Sequence, residues 1–372
     1  MENPSMINYI LDQPRALRST WEIKDLYCDP FKGVFKNSNI KLVYFLGSGT
    51  SYHASIAAAE YFEKYLGVDA MAMIPTQFTN YERINNNGVY SKEEILVVGI
   101  SQSGTSVSTI NAVKKANSSG YLTLAITDAL DSLITKETKN VVKLTCGVEE
   151  IPVETRGYSV TVFQMFVTAI EIAKEKGSIS LSDYEKLCKE VEHFLDVYPS
   201  ALNDVENWYI KNQAELLKMT KGHIASYGVN TCTMYEGVLK LYETFKKPLS
   251  AYEIEELIHG PNMAFDEDSY IYIVAGKEKE FERIPLFTNY FKSNEITEHV
   301  FVISNGDREY GEKDCHINVD ILEDLTPLIY TLVFQITAAR NCIAIGVDTS
   351  KRPPRRRAFA HVYKEDEKWT AY

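Results

Sequence analysis

Two short apolar runs in the first half of the chain each end in a loop of glycine and hydroxyl residues that leads into a helical pattern. The first run, Ile40–Leu46, is followed by Gly47–Ser51. The second run, Ile95–Ile100, is followed by Ser101–Gly104. Strands that alternate with helices of about 10 to 15 residues need crossover connections. This pattern predicts an α/β fold in which a parallel sheet carries helices on both faces.

The same rhythm returns in the second half, so we expect a duplicated fold with two doubly wound parallel sheets in tandem. Strand patterns there are followed by the helical patterns Met234–Phe245, Glu280–Phe291 and Leu325–Ile345. The predicted divisions are an N-terminal helical segment at 1–36, a first α/β domain at 37–180, a solvated helical connector at 181–204, a second α/β domain at 205–347, and a basic, proline-broken tail at 348–372.

Composition excludes several classes of protein. The 372 residues carry 39 basic and 51 acidic side chains, a formal charge of −12, which argues against nucleic acid or an anionic membrane as a partner. The longest apolar stretch, Leu328–Ile345, is interrupted by polar residues and reads as a buried helix. The six cysteines form no CxxC pair, and the first residues lack a signal-peptide pattern. We therefore expect a cytoplasmic protein that needs no structural metal.

The two strand-end loops are the strongest candidates for a ligand site. In an open α/β sheet, ligands bind at the carboxyl ends of the strands. Free N–H groups at a helix start, together with hydroxyl groups, suit a phosphate dianion. Ser101, Ser103 and Ser106 are placed to surround one phosphate, and Gly104 permits close approach of the backbone. The alternative is that these residues simply cap helices.

The second half supplies titratable side chains. Glu236, Lys240 and Glu243 are spaced so that a helix places all three on one face. An exposed Glu–Lys pair is the simpler interpretation, but the neighbouring residues are mostly apolar, and a carboxylate in such surroundings can act as a general base. His259 lies in a Gly-Pro turn, where either a structural or a catalytic role is open.

These motifs resemble those of sugar-isomerase (SIS) domains. The segments Gly47–Ser51 and Ser101–Gly104 resemble the SIS signature, while Tyr235–Glu243 and Glu256–Pro261 are similar to the second SIS domain of glucosamine-6-phosphate synthases. The resemblance covers roughly residues 8 to 350. It implies two flavodoxin-like SIS domains, a hexose 6-phosphate or amino-sugar phosphate ligand, no cofactor, and a homodimer with shared active sites.

The resemblance also implies roles for individual residues. Glu243 would move a proton between C1 and C2 of the sugar, Glu236 and Lys240 would support it, and His259 of the other subunit would assist ring opening. The residues implied in binding the sugar and its phosphate are Ser48, Gly49, Thr50, Ser51, Ser101, Gln102, Ser103 and Ser106, with the loop residues Val153, Glu154 and Thr155 beside them.

Departures from the synthase pattern bear on the activity. We expect no glutamine hydrolysis, because no glutaminase segment precedes the SIS pair and position 2 is not a cysteine. Phe359 stands where the synthase has a lysine that forms a Schiff base with the ketose. The synthase loop rich in Ala, Ser and Thr is replaced by Val153–Gly157, which carries the charged Glu154 and Arg156. The pattern is closer to that of stand-alone fructosamine-6-phosphate deglycases and amino-sugar-phosphate deaminases.

The sequence therefore predicts an isomerase-type enzyme that converts a 6-phosphofructosyl-amine, or an amino sugar 6-phosphate, to hexose 6-phosphate and an amine. Two alternatives stay open. One is an ammonia-dependent aminotransferase that makes glucosamine 6-phosphate from fructose 6-phosphate. The other is a non-catalytic regulator that senses phosphosugars, which the presence of Glu243 and His259 disfavours.

Overall fold

The computed structural model describes residues 4–81, 85, 88–277, 279–306 and 311–350. These residues form two compact units, a first unit of residues 15–189 and a second unit of residues 4–14 and 190–350. The predicted basic tail beyond residue 350, with Phe359, lies outside the described residues.

In the described residues each unit holds one parallel sheet. The first sheet contains β1 (Leu42–Leu46), β2 (Asp69–Met73), β3 (Ile95–Ile100), β4 (Leu122–Thr127) and β5 (Asn140–Lys143), in the order β2-β1-β3-β4-β5. The second contains β6 (Lys221–Ser226), β7 (Leu249–Glu253), β8 (Ser269–Val274), β9 (Val300–Asn305) and β10 (Cys315–Ile317), in the order β10-β9-β8-β6-β7. Counted from the first strand of each unit, both sheets have the flavodoxin-like order 2-1-3-4-5.

Helices flank both sheets. They are α1 (Met6–Leu11), α2 (Gln13–Glu22), α3 (Lys24–Asn37), α4 (Thr50–Leu66), α5 (Pro75–Asn80), α6 (Val107–Ser118), α7 (Arg156–Lys176), α8 (Leu181–Leu216), α9 (Thr231–Thr244), α10 (Ile284–Ser293) and α11 (Thr326–Ala344). The predicted α/β class with two doubly wound parallel sheets is confirmed.

Alternation along the central strands explains the two covered faces. In β1, Leu42, Tyr44 and Leu46 pack with α5 and α6, while Phe45 points the other way and meets Phe62 of α4 with ring centroids 4.9 Å apart. Residues of β1 and β3 are buried throughout, as expected for strands with helices on both sides. The carboxyl ends of both strands are therefore buried between helices, next to the loops that follow them.

The predicted connector at 181–204 is part of a longer helix, α8, that continues to Leu216. The expectation that it is solvated is wrong for one of its faces, where Val191, Phe194, Leu195 and Tyr198 are buried. Charged residues between these positions obscured an apolar stripe with helical spacing. The hydroxyl of Tyr198 donates a hydrogen bond to the side chain of Gln13 at 2.6 Å, which ties α8 to the start of the chain.

No helix in the described parts of the chain combines the length and the apolar character that a membrane crossing needs.

Candidate active site

The loop after β1 is shaped by its glycines. A Cβ at position 47 would lie 2.5 Å from the backbone of Ser51, so only glycine allows the chain to turn directly into α4. Gly49 has φ of +59°, a conformation that favours glycine. Ser48 and Gly49 are exposed, and Thr50 and Ser51 form the first turn of α4. The loop therefore presents its hydroxyl groups at a helix start.

The loop after β3 is built in a similar way. Gly104 has φ of +65°, and a Cβ there would collide with the side chain of Ser132 at 1.8 Å. The Gly104 N–H donates to the carbonyl of Ser101 at 2.9 Å, which closes a tight turn. Ser101 is buried, while Gln102 and Ser103 are partly exposed. The turn brings the start of α6 next to the end of the strand.

Hydroxyl groups from the two loops meet between β1 and β3. The Oγ of Ser48 lies 3.2 Å from the Oγ of Ser108, which in turn lies 3.5 Å from that of Ser106. Ser103 Oγ is 3.0 Å from Thr105 Oγ1. We call Ser48, Ser103, Thr105, Ser106 and Ser108 the hydroxyl cluster.

The hydroxyl cluster lies where the strand order of the first sheet reverses, the position at which such sheets bind ligands. Neither α4 nor α6 carries an acidic side chain in its first turn, so nothing negative in those turns neutralises their N-terminal dipoles.

The predicted third segment, Val153–Thr155, also reaches this edge of the first sheet. It precedes α7, and Gly157 in the first turn of α7 touches the side chain of Gln102. A Cβ at 157 would lie 2.2 Å from the Gln102 Oε1. Val153 and Thr155 are buried, and Glu154 is partly exposed. The structure thus brings the second loop and the third segment together.

Two contributors to this region were missed from the sequence. Ser108 links the two loops, and Glu149 accepts hydrogen bonds from the backbone N–H groups of Thr155 at 3.0 Å and Gly157 at 2.9 Å. The carboxylate of Glu149 therefore caps α7. A glutamate shortly before a helix that begins at Arg156 was a usable signal for a helix cap. Glu149 precedes Thr155 by six residues, however, and the loop conformation that brings it back to the helix start cannot be inferred from a sequence pattern.

The three charged residues predicted on one helix face form a buried array on α9. The Lys240 Nζ lies 3.2 Å from Glu236 Oε1 and 3.0 Å from Glu243 Oε2. The side chains of Glu236 and Lys240 are 0% and 1% exposed, and that of Glu243 is 12% exposed. The interpretation as an exposed Glu–Lys pair is therefore wrong. Glu243 is the member of the array that reaches the surface.

A glycine explains how α9 is buried so deeply. Gly237 faces α11 and β6. A Cβ at position 237 would lie 2.7 Å from the ring of Phe334 on α11 and 2.9 Å from the side chain of Ile224 on β6. Close packing of α9 against α11 and β6 excludes water from Glu236 and Lys240. A buried ammonium is stable only with opposite charge beside it, and the two carboxylates supply that charge.

His259 follows a short 3₁₀ turn at Glu256–Ile258, and its backbone N–H donates to the carbonyl of Glu256 at 3.1 Å. The side chain is exposed, and its role, structural or catalytic, stays a prediction. Leu257, two residues earlier, is buried and anchors the turn. We call residues 254–265 the His259 segment.

The equivalent crevice of the second sheet, between β6 and β8, is filled by protein side chains. The carboxylate of Glu323 accepts the backbone N–H of Lys277 at 2.8 Å. A Cβ on Gly276 would lie 2.2 Å from Glu323 Oε1. The hydroxyl of Tyr227 donates to the carbonyl of Gly276 at 2.6 Å. Burial raises the pKa of Glu323 above its ordinary value.

A cavity of 1130 Å³ lies at the opposite edge of the second sheet, near the start of β9. Its lining includes Glu215, His299 and Lys313, and it contains none of the predicted site residues. His299 Nδ1 and Lys313 Nζ lie 2.6 Å and 2.8 Å from the same oxygen of Glu215. The Glu215 carboxylate is therefore already paired within the protein. Ligands of this fold bind at the carboxyl ends of the strands, whereas this cavity lies at the opposite ends.

Comparisons with known proteins identify a SIS domain in the first half of the chain. Residues 38–172 match the SIS domain model. The glutamine–fructose-6-phosphate aminotransferase (isomerizing) of Neisseria meningitidis serogroup B is 26% identical over 356 residues, covering 92% of this chain and 56% of that protein. The enzyme of the same name from Caldanaerobacter subterraneus is 25% identical over 362 residues, covering 93% and 57%. The chain thus spans about half the length of the curated relatives it matches.

Solved structures with a similar fold cover almost the whole chain. A candidate phosphosugar isomerase from Clostridium difficile 630 superimposes with a TM-score of 0.85 at 26% identity, covering 98% of this chain and 99% of that one. The C-terminal domain of the glucosamine-fructose-6-phosphate aminotransferase from Francisella tularensis shares the fold, with a TM-score of 0.82 at 21% identity, covering 93% and 98%. Residues 38–172 therefore match a SIS domain, and almost the whole chain shares the fold of these two solved structures.

Proposed function

We propose that this protein is a phosphosugar isomerase-type enzyme that hydrolyses a 6-phosphofructosyl-amine to a hexose 6-phosphate and a free amine. The observation that carries the proposal is the buried Glu236–Lys240–Glu243 array, in which one carboxylate reaches the surface while a buried ammonium fixes its position. Support for the substrate class comes from the hydroxyl cluster of the first unit and from the names of the relatives.

The phosphate of the substrate is assigned to the hydroxyl cluster. Backbone N–H groups at the starts of α4 and α6, together with the side chains of Ser48, Ser103 and Ser106, supply donors for its oxygens. No charge is needed on the protein side, because the helix N-termini already carry partial positive charge. Gln102, held against Gly157, is placed to contact the sugar.

Glu243 is assigned as the base that moves the proton. It removes a proton from C1 of the open-chain fructosyl-amine, a C1–C2 double bond forms, and the C2 carbonyl oxygen takes a proton from water to give an enolamine with a hydroxyl on C2. A proton is then delivered to C2, which leaves a C1 imine. Water adds to C1 and the amine departs, so the products are the aldose phosphate and the amine. Lys240 donates a hydrogen bond to Glu243 Oε2 and so holds its carboxylate in one orientation.

His259 is assigned to ring opening, as a proton carrier between the ring oxygen and the C2 hydroxyl of the cyclic substrate. Its exposure fits a residue that serves a site on a second copy of the chain. In this proposal the active protein is a homodimer with two equivalent sites.

A substrate that already carries nitrogen forms its imine without an enzyme lysine. This accounts for Phe359 at the position where the synthase pattern has the Schiff-base lysine.

The curated relatives favour the second candidate, an ammonia-dependent aminotransferase that would combine fructose 6-phosphate with ammonia.

One assay distinguishes the candidates. The purified protein is incubated with 6-phosphofructosyl-amino acids, with glucosamine 6-phosphate, and with fructose 6-phosphate plus ammonium, and hexose phosphate and amine products are measured. Release of glucose 6-phosphate from the first substrates supports the deglycase. Formation of glucosamine 6-phosphate from the third mixture supports the aminotransferase. Tight binding of a phosphosugar with no turnover of any substrate would overturn both and favour a sensor.

A further inference from the structure

His223 has an unusual environment for a histidine. It lies on β6, which pairs with β8 on one side and with the edge strand β7 on the other. Both ring nitrogens, Nδ1 and Nε2, are buried and have no hydrogen-bond partner. Most buried polar groups in proteins are hydrogen-bonded, so an imidazole with neither nitrogen satisfied calls for an explanation.

The contacts of the His223 ring are aromatic. The ring stacks on Tyr252 with centroids 6.0 Å apart and planes 25° apart, and it packs on Phe265 with centroids 4.4 Å apart. Tyr252 lies on β7, just before the His259 segment, and Phe265 is the last residue of that segment. The residue two positions before the His259 segment and the last residue of the segment therefore pack on the same imidazole.

The middle of the His259 segment is held less tightly than its ends. Ile254 and Leu257 are buried near its start, and the side-chain amide of Asn262 donates to the hydroxyl of Tyr290 at 3.2 Å. His259 itself is exposed, and Met263 is 86% exposed. The position of His259 thus depends on how firmly the two ends are anchored.

We propose that His223 is a positioning residue that anchors the His259 segment at both ends, and that it does so only as the neutral imidazole. The catalytic consequence rests on the proposed function, in which His259 opens the sugar ring. The anchoring itself does not.

The charges around His223 support the second half of the proposal. The pKa of His223 is lowered to about 4, chiefly by burial and also by Lys221 on the same strand, while Asp266 next to Phe265 acts in the opposite direction. Tyr252 is the titratable side chain that faces it from β7. Asp266 is paired with Lys221 at 2.5 Å, so its carboxylate offers no full countercharge to an imidazolium. Protonation would place an unsatisfied charge in an aromatic pocket, and the segment is expected to open instead.

Hydrogen exchange measures the anchoring without reference to activity. Amides of residues 254–265 are compared in the wild type, His223→Ala and His223→Phe at pH 7.5. We expect faster exchange of this segment in His223→Ala and near-wild-type exchange in His223→Phe, because phenylalanine keeps the aromatic contacts. Amides of α6 in the first unit serve as the internal control and should not change.

Acid adds a second readout. From pH 7.5 to pH 5, linkage between a pKa of about 4 in the closed state and the ordinary 6.5 in the open state predicts a roughly 25-fold larger opening equilibrium constant for the wild-type segment, and exchange faster by the same factor after correction for intrinsic rates. His223→Phe should lack this acceleration. Phe265→Leu, altered from the segment's side, covers the case in which His223→Ala fails to fold, and it should also speed exchange of residues 254–265.

Kinetics connect the anchor to catalysis. With a 6-phosphofructosyl-amino acid at pH 7.5, His223→Ala should lower kcat about tenfold or more while KM stays within a few-fold, because only the placement of His259 is disturbed. His223→Phe should restore most of the rate.

The outcomes are distinguishable. Unchanged exchange of residues 254–265 in His223→Ala and Phe265→Leu would overturn the anchor, whatever the activity. Equal acid acceleration in the wild type and His223→Phe would overturn the requirement for a neutral ring. The expected exchange pattern together with no effect on turnover would support the anchor while counting against the role of His259 in the proposed function.

Discussion

The two units share a strand order but differ at the crevice where that order reverses. In the first unit, the crevice between β1 and β3 is lined by the hydroxyl cluster, and Ser48 is exposed to solvent. In the second unit, the crevice between β6 and β8 contains the carboxylate of Glu323, which accepts the Lys277 N–H. The fold supplies a place for an anion twice. A side chain already occupies the second place, and in the proposed function the second unit provides acid–base groups on α9 instead.

The largest effect is expected when the proposed general base of the second unit, Glu243, is removed. Glu243→Gln should lower turnover by about 10²–10⁴, because the amide cannot accept the C1 proton, while phosphosugar affinity stays within a few-fold. Steady-state kinetics and calorimetry measure the two quantities. The matched control is Glu185→Gln, which alters an exposed glutamate of α8 and should change neither. Near-normal turnover of Glu243→Gln would make Glu243 structural and leave Glu236 as the next candidate.

The second prediction tests whether Glu243 and His259 of one active site come from different chains. Glu243→Gln and His259→Ala are unfolded, mixed and refolded together. If each site combines the Glu243 of one chain with the His259 of the other, random pairing returns roughly a quarter of wild-type activity, since half the dimers are mixed and half their sites are intact. Activity no higher than that of the separate variants, after proven subunit exchange, would contradict the shared site.

The third prediction sets one crevice against the other. Ser103→Ala should weaken binding of fructose 6-phosphate about tenfold, because a hydrogen bond to a charged group contributes roughly 1.5–3 kcal/mol. Lys277→Ala, at the filled crevice of the second unit, should leave the affinity unchanged. Ser118→Ala, at the far end of α6, is the control for loss of a serine. A stoichiometry of two phosphosugars per chain, or a loss of affinity in Lys277→Ala, would refute the contrast between the units.

The smallest effect concerns Glu323 and appears in stability. Because burial raises its pKa, the folded protein holds this proton to a higher pH than the unfolded chain does. The free energy of unfolding should therefore decrease as pH rises above the ordinary value of 4.5, through the window up to the raised pKa. Glu323→Gln should remove that contribution, and Glu267→Gln, at an exposed position, should not. Identical pH profiles of unfolding for the wild type and Glu323→Gln would contradict the assignment.

Much of the fold could be predicted from local sequence patterns. The predictions that failed did so for physical reasons. The buried strands β1 and β3 are continuous apolar runs in the sequence, so both were predicted. The edge strand β2, with sequence Asp69–Met73, is partly exposed and lacks that signal, and the same holds for the short β10. The solvated reading of α8 failed because an apolar stripe and interleaved charges coexist on one helix.

The candidate site divides in the same way. Helical spacing alone put Glu236, Lys240 and Glu243 on one face, and glycine at a strand end marked the loops. Their burial, the ion-pair distances and the link from Ser48 to Ser108 arise from packing between residues far apart in the chain. Glu149 and Glu323 were missed because each acts on backbone groups whose position is set by a loop.

The sequence by itself determined the order of elements, the duplicated α/β rhythm and the types of chemistry available, because periodicity and glycine placement act over a few residues. Only the tertiary structure decided which crevice is filled, which member of the α9 array reaches the surface, and that the His223 ring packs on Tyr252 and Phe265. Those properties depend on which side chains exclude water from one another, and that is set by contacts between distant parts of the chain.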